Sequence, residues 1–353
     1  MSAIVFFFVE RRFCSCLRSK AQSLGVPTAY LHHSHRPESS RTLQQQKLDC
    51  GRKTELHPHR ASHTVIRQTF DCPLKPMKTM NMIHSSKFFL ATVLCALGLA
   101  LPAQAAPKKV LVVTVTKGFR HDSIPTAEKV LGELAEKSGA FTVDYVRTDQ
   151  EMAEKMTAAA LENYDAVVFA NTTGALPLPD KQAFIDWIKS GKGFVGMHAA
   201  ADTFDQASYW APYVEMLGAE FQTHHAQVEI EALNQDPACP ICRGLGPSWK
   251  VYDEIYLMQK YDPAKVHELL TLDKHPDDKT PGHYPVSWCK MFGKGRVFYT
   301  SLGHRKDVWD PNETDRNNSK EVAEAYQNLI LNGIKWAVGL ENFDATPQKR
   351  AAE

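Results

Sequence analysis

The stretch Gly193-Phe194-Val195-Gly196-Met197-His198-Ala199-Ala200-Ala201-Asp202 decides how this chain is read. A short apolar run bounded by glycines, which then breaks into small residues and an acid, is a buried strand turning sharply into a loop or helix. Such a turn presents one side chain at the sheet edge, here His198. Ligands of open α/β sheets bind just beyond the carboxyl ends of strands, so His198 stands where chemistry is expected. The alternative is an imidazole that only satisfies backbone groups.

Upstream, Val110 to Thr116 is a β-branched apolar run that suits a buried parallel strand. It leads into the loop Lys117 to Ser123, where Ser123 is placed to cap a helix with Val130, Leu131 and Leu134 on one face. Phe141 to Val146 and Ala166 to Ala170 read as further strands, the latter ending in the polar loop Asn171-Thr172-Thr173-Gly174. A helix over Pro179 to Lys189 is stopped by Gly191 to Gly193. Strand and helix alternate at short spacing, which predicts a doubly wound α/β sheet.

Downstream the pattern changes. A helix over Tyr209 to Leu217 precedes Phe221-Gln222-Thr223-His224, and Val228 to Glu231 alternates like an edge strand. Tyr252 to Tyr256 and Leu269 to Leu272 read as strands. Pro285 to Met291 and Arg296 to Leu302 form a hairpin through Gly293-Lys294-Gly295, its second strand running out into Gly303-His304. Val322 to Val338 closes the chain as an amphipathic helix.

The 353 residues carry 41 Lys and Arg against 40 Asp and Glu, with 43% hydrophobic content, which suits one large domain or two small ones. Near-zero net charge and the lack of a basic run in the folded part argue against nucleic acid as a partner. A small neutral or polar ligand fits better. Oligomeric state is not legible.

Residues 1–76 are rich in Arg, His, Ser and Gln and cannot bury a core, so they read as a non-native or disordered extension. Residues 77–105 then have the layout of a secretory signal: Met77-Lys78, Lys87, the apolar run Phe88 to Leu101, and Ala103-Gln104-Ala105. The expected start is Met77, Met80 or Met82 and the expected mature end lies near Ala106, giving a periplasmic or secreted protein without stable membrane insertion. Leu94 before Cys95 argues against a lipid anchor. The folded domain is expected over 106–345, with a disordered tail over 346–353.

The motifs "GFRHDSIP", "NTTG", "GFVGMHAAAD", "LGAEFQTH", "DEIY", "PVSW", "GKGRVFYTSLGH" and "GIKWAVG", in that order, resemble the ThuA-like (trehalose utilisation) family from Lys108 to about Leu340. The resemblance implies a flavodoxin-like sandwich similar to class I glutamine amidotransferases, with a mostly parallel central sheet, and a link to sugar metabolism. Glutamine hydrolysis needs a cysteine on the strand-to-helix elbow. The elbow here carries His198, and Cys239, Cys242 and Cys289 lie elsewhere, so glutaminase activity is not expected. Where the family tends to have "HPIT", this chain has Cys239-Pro240-Ile241-Cys242, read as a small surface disulfide with Cys289 free.

His121, His198 and His304 each follow a strand and His224 follows a short apolar turn; the resemblance carries all four as motif positions. Convergent imidazoles with a carboxylate suit zinc or another divalent metal, for which His198, His224 and His304 are the nominated ligands. Without metal they suit proton transfer. His198, His304, His121, Asp253 and Glu254 are therefore the catalytic candidates, Asp253-Glu254 having as its alternative a strand-end pair facing water. Arg120, Asp122, Asn171, Thr172, Asp202 and Trp309 are the candidates for binding a carbohydrate, with Trp309 stacking on a sugar face and Trp288 in the core. The expected function is binding and processing of a carbohydrate or oxidised sugar derivative, by a hydrolase or lyase. The rivals are a carbohydrate-binding module without turnover and a secreted scaffold with a large exposed apolar patch.

Overall fold

The computed structural model describes residues 106–349. The expected extension 1–76 and signal segment 77–105 lie outside the described residues, and no helix among the described residues is long and apolar enough to cross a membrane.

The described residues form eleven strands: β1 (Lys108–Val113), β2 (Phe141–Val146), β3 (Ala166–Ala170), β4 (Gly193–Met197), β5 (Glu220–His224), β6 (Val228–Asn234), β7 (Ser248–Asp253), β8 (Tyr256–Gln259), β9 (His267–Lys274), β10 (Pro281–Phe292) and β11 (Gly295–Thr300). Nine make one sheet in the order β2-β1-β3-β4-β11-β10-β9-β6-β7, while β5 and β8 pair as a separate ribbon. The sheet is mixed, a parallel half extended by an antiparallel half. From β2 to β11 every pairing is parallel, and from β11 to β7 every pairing is antiparallel.

Both faces of the inner parallel strands β1, β3 and β4 are covered because these strands are apolar on both. In β1, Val110 and Val112 enter one core while Leu111 and Val113 enter the other, as side chains alternate across a strand. The first core takes the apolar stripes of α1 (Ile124–Ser138) and, from the other end of the chain, Leu329, Ile330 and Ile334. On the opposite face lie α2 (Asp149–Lys155) after α1, then, past the short α3 (Ala158–Leu161), α4 (Lys181–Lys189) and α5 (Ala211–Leu217). After the short α6 (Lys306–Trp309), α7 (Lys320–Ala337) carries those C-terminal apolar residues. Its close approach needs Gly193, where an added Cβ would stand 2.7 Å from the Ala337 carbonyl oxygen.

Several local expectations are corrected. Ser123 occupies the N-cap of α1 without a side-chain capping bond; its hydroxyl reaches Gly303 instead. Strand β6 is no edge, because Leu233 and Asn234 pair with β9 while its length pairs with β7. Tyr252 to Tyr256 is not one strand: β7 ends at Asp253, β8 begins at Tyr256 in the other sheet, and Glu254 sits at the joint. Cys239 and Cys242 are buried free thiols rather than a surface disulfide, and Cys289 is a third. The C-terminal segment is docked at least as far as Gln348, whose side chain bonds both backbone groups of Glu268, while the Thr346 carbonyl pairs with His267.

Candidate active site

Strands β4 and β11 are parallel neighbours, with Met197 level with Thr300. Each runs out at its carboxyl end into a histidine-bearing turn. His198 follows β4 directly with φ 46°, an uncommon backbone for a residue with a side chain. Its Nδ1 lies 2.7 Å from the Ser301 carbonyl oxygen. A carbonyl can only accept, so Nδ1 carries a proton, and in the neutral ring the Nε2 lone pair faces the cluster. That Nε2 is 3.3 Å from Nδ1 of His304, 106 residues later in the chain.

Glu254 closes the triangle. Its Oε1 is 3.3 Å from His304 Nδ1 and 3.6 Å from His198 Nε2, and its Oε2 is 3.0 Å from His224 Nδ1. His121, arriving on the loop after β1, packs edge-on against the rings of His198 and His304 at centroid distances of 4.8 and 5.2 Å. Donor atoms of His121, His198, Glu254 and His304 all lie within 4.8 Å of one another. The β5–β8 ribbon supplies the wall: Tyr256, level with His224, lies 4.3 Å from the His198 ring.

The His304 turn is mounted on one peptide. The Gly303 N–H donates to Asp253 Oδ2 at 2.7 Å, and its carbonyl accepts from Asn171 Nδ2, Trp309 Nε1 and the Ser123 hydroxyl. Asp253 Oδ1 also accepts from the Arg305 N–H at 3.1 Å, so the carboxylate grips the chain on both sides of His304. Gly303 takes φ 119°, and a Cβ there would stand 2.6 Å from the Tyr326 hydroxyl. Only glycine fits.

Charge is set by burial and neighbours together. Burial, then His198 and His304, pull the His121 imidazole down to about 3, so it is neutral near pH 7. Burial pushes Glu254 up, but the His198 and His304 imidazoles outweigh it and hold the carboxyl well below the usual range. Burial lowers His304, and the Glu254 carboxylate beside it more than offsets this and raises it. The result is an ionised acid against a proton-sharing pair of rings. Three imidazoles and a carboxylate also form a donor set for a divalent metal.

The nominated residues divide sharply. His121, His198, Glu254 and His304 are brought together, and His224, 44% exposed in its side chain, touches the group only through Glu254. Asp253 is not in it: fully buried, it holds the His304 turn. Asn171 and Trp309 hold the same turn, and the fully buried Trp309 ring cannot stack on a sugar. Thr172 is buried and bonded to Thr203, and Trp288, fully buried, donates to the Leu217 carbonyl as a core residue. Asp202 pairs with Asp205 rather than with a histidine. Arg120 reaches back to the Thr114 carbonyl, and Asp122 pairs with Lys306 at 3.0 Å.

Asp122, Lys306, Arg305 and Gln227 line a polar cleft of about 170 Å³ that includes His304. A cavity of about 220 Å³ among Glu229, Lys250 and Lys274 contains none of the four clustered residues. The cleft with His304 is the one that meets the histidine and glutamate cluster. Sequence reasoning missed Phe119, which is 67% exposed with its ring 4.9 Å from His121. The signal was there: an aromatic two residues before a strand-end histidine, in a polar loop with no core to enter.

The family described as ThuA, trehalose utilisation, matches residues 109–337. The fold is shared with a solved ThuA-like protein from Parabacteroides merdae ATCC 43184, at TM-score 0.52 and 22% identity, the match covering 69% of this chain and 93% of that one. A ThuA-like protein from Bacteroides uniformis ATCC 8492 gives TM-score 0.51 and 20% identity over 68% and 95%. No curated protein matches the sequence. With almost the whole described region inside the matched span, the chain belongs to the ThuA family.

Proposed function

We propose that this protein binds a sugar or an oxidised sugar derivative in the cleft beside His304 and acts on it by proton transfer at the histidine and carboxylate cluster. The observation that carries the reading is that His304 belongs to both: it lines the polar cleft and bonds the buried Glu254. Both donors and acceptors line the cleft, which suits hydroxyl groups. Its volume is below the ~300–1,000 Å³ of sites for drug-sized ligands, so one sugar ring fits better than an oligosaccharide. Membership of a family described by trehalose utilisation supports the same ligand class. The order β2-β1-β3-β4-β11 of the parallel strands supports the flavodoxin-like reading, with the site at the carboxyl ends.

Glu254 and His198 occupy the Nδ1 side of His304, so Nε2 is the atom left to exchange a proton with the ligand. Phe119 offers an apolar face beside His121 for the C–H face of the ring. Turnover is favoured over simple capture because the titrating groups converge within hydrogen-bond reach and are strongly perturbed. A scaffold role lacks its patch: among the described residues the exposed large apolar side chains Phe119, Tyr209, Met291 and Leu340 sit on separate elements. The signal-like layout of residues 77–105 supports action outside the cytoplasm.

A panel of glucosides and oxidised glucoside derivatives tests the reading by turnover. General acid–base catalysis contributes about 10²–10⁴-fold, so His304→Gln should lower turnover by that factor while the protein melts as before. Equal turnover in the variant, or no turnover of any panel member by the parent, overturns it.

A further inference from the structure

We infer that His121, His198, Glu254 and His304 are the ligands of one divalent transition-metal ion, of the zinc class, at the floor of the cleft. The separations of the donor atoms carry the inference. Bonds of ~2.0–2.2 Å in a tetrahedral zinc site put ligand atoms about 3.3–3.6 Å from one another. The edges of the triangle formed by His198 Nε2, His304 Nδ1 and Glu254 Oε1 are 3.3, 3.3 and 3.6 Å. This is one face of such a tetrahedron.

Protons alone do not satisfy that triangle. With a neutral His198 ring, its one proton goes to the Ser301 carbonyl, the carboxylate has none, and the single proton on His304 Nδ1 faces both His198 Nε2 and Glu254 Oε1. A second observation is independent of the triangle. His121 is 4% exposed, its Nδ1 is buried without a hydrogen-bond partner, and one of its ring nitrogens lies within 4.8 Å of the other donors. Unpartnered buried polar atoms are rare and costly unless something absent from the protein atoms meets them.

The surroundings match what ligating side chains need. Ligating histidines donate their other ring N–H to a carbonyl or carboxylate, and ligating carboxylates are themselves hydrogen-bonded. His198 donates to Ser301, Glu254 Oε2 lies 3.0 Å from His224 Nδ1, which also bonds the His225 carbonyl, and the His304 turn is clamped by Asp253. His224 is thus an orienting partner rather than a ligand. Nitrogen and oxygen donors without thiolate suit zinc, cobalt or iron better than copper(I).

The inference deepens the proposed function by naming what supplies the acid there, and only its relevance to sugar rests on that reading. An ion in this position polarises a ligand carbonyl or hydroxyl oxygen that reaches it from the cleft, with His304 then serving as ligand.

The experiment needs no sugar. Purified protein is stripped with chelator and titrated with Co²⁺, followed by its visible absorption, and with Zn²⁺, followed by calorimetry. One ion per chain is expected, with affinity lowered at least tenfold in Glu254→Gln and in His121→Asn, and about 10–100-fold in His224→Ala if it orients the carboxylate. The more exposed trio His225, His275 and Asp277 also brings donors together, so His275→Ala serves as the control that should bind unchanged. Two of the variants are near-isosteric, and thermal melts confirm that they fold. The absence of stoichiometric uptake overturns the inference, as does uptake lost in His275→Ala but kept in Glu254→Gln. Full sugar turnover by the stripped protein overturns the metal while leaving the proposed function standing; tight binding without sugar turnover does the reverse.

Discussion

Asp253 holds Gly303: the carboxylate beside one member of the cluster accepts a 2.7 Å hydrogen bond from the residue beside another. Its second oxygen takes the Arg305 N–H, so Glu254 and His304 are positioned by one side chain that bonds to backbone groups rather than to the Glu254 carboxylate or the His304 ring. Asp253→Ala would leave two backbone donors unsatisfied in a site where Asp253 is fully buried. Each costs about 1–3 kcal/mol. The expected outcome is a loss of that order in urea unfolding together with reduced turnover. Asp253→Asn, which keeps one acceptor, should fall between the two; an unchanged unfolding midpoint in Asp253→Ala would refute the clamp.

Gly303→Ala attacks the same mounting without deleting a polar group. The new methyl meets the Tyr326 hydroxyl and the Trp309 ring, and the residue must hold φ 119°. Left-handed strain alone costs about 1–3 kcal/mol. Pairing Gly303→Ala with Tyr326→Phe should recover only the part due to the clash, and differential melting of the single and double variants measures the split.

Phe119 and Trp309 separate binding from packing. Phe119→Ala should leave the melting temperature nearly unchanged, because 67% of the residue is already in water. An aromatic contact worth about 0.5–1.5 kcal/mol predicts ligand affinity weakened roughly 2- to 12-fold. Trp309→Phe should do the opposite: the lost bond to the Gly303 carbonyl costs about 1 kcal/mol of stability, with affinity altered only as far as the His304 turn shifts. Calorimetric binding and melting of both variants, read together, decide the assignment.

The parallel half of the fold and the three clustered histidines were legible because the signals were local. "GFVGMH" and "FYTSLGH" each announce a buried strand and a turn carrying imidazole. That β11 would lie beside β4, and so bring His198 to His304, depended on pairing between segments far apart, which periodicity does not report. The choice between Asp253 and Glu254 was equally invisible. Successive residues at a strand end face opposite ways, and only the switch from one sheet to the other at Glu254 decided which carboxylate met the histidines. Trp309 misled because exposure is tertiary: its ring lies edge-on to Tyr326 of α7, at a centroid distance of 4.9 Å.

The 3₁₀ turn that begins at His198 ends at Asp202, which shares a proton with Asp205, next to the buried Glu220. Burial, then the hydrogen bond and charge of Asp205, push Asp202 up to about 7, against an unfolded carboxyl value of about 3.9. Between those values the folded state holds a proton that the unfolded chain has released. The stability this proton supplies is therefore fully present below about pH 4 and is lost as pH rises through about 7. The pair titrates as a unit, so the slope belongs to both residues. Asp202→Asn keeps a permanent donor toward Asp205 and removes the titration. Its melting temperature should vary less than the parent's between about pH 4 and 7, and exceed the parent's at the upper end, where the parent must hold two like charges together. Parallel melting curves for parent and variant across that window would show that Asp202 carries no native proton.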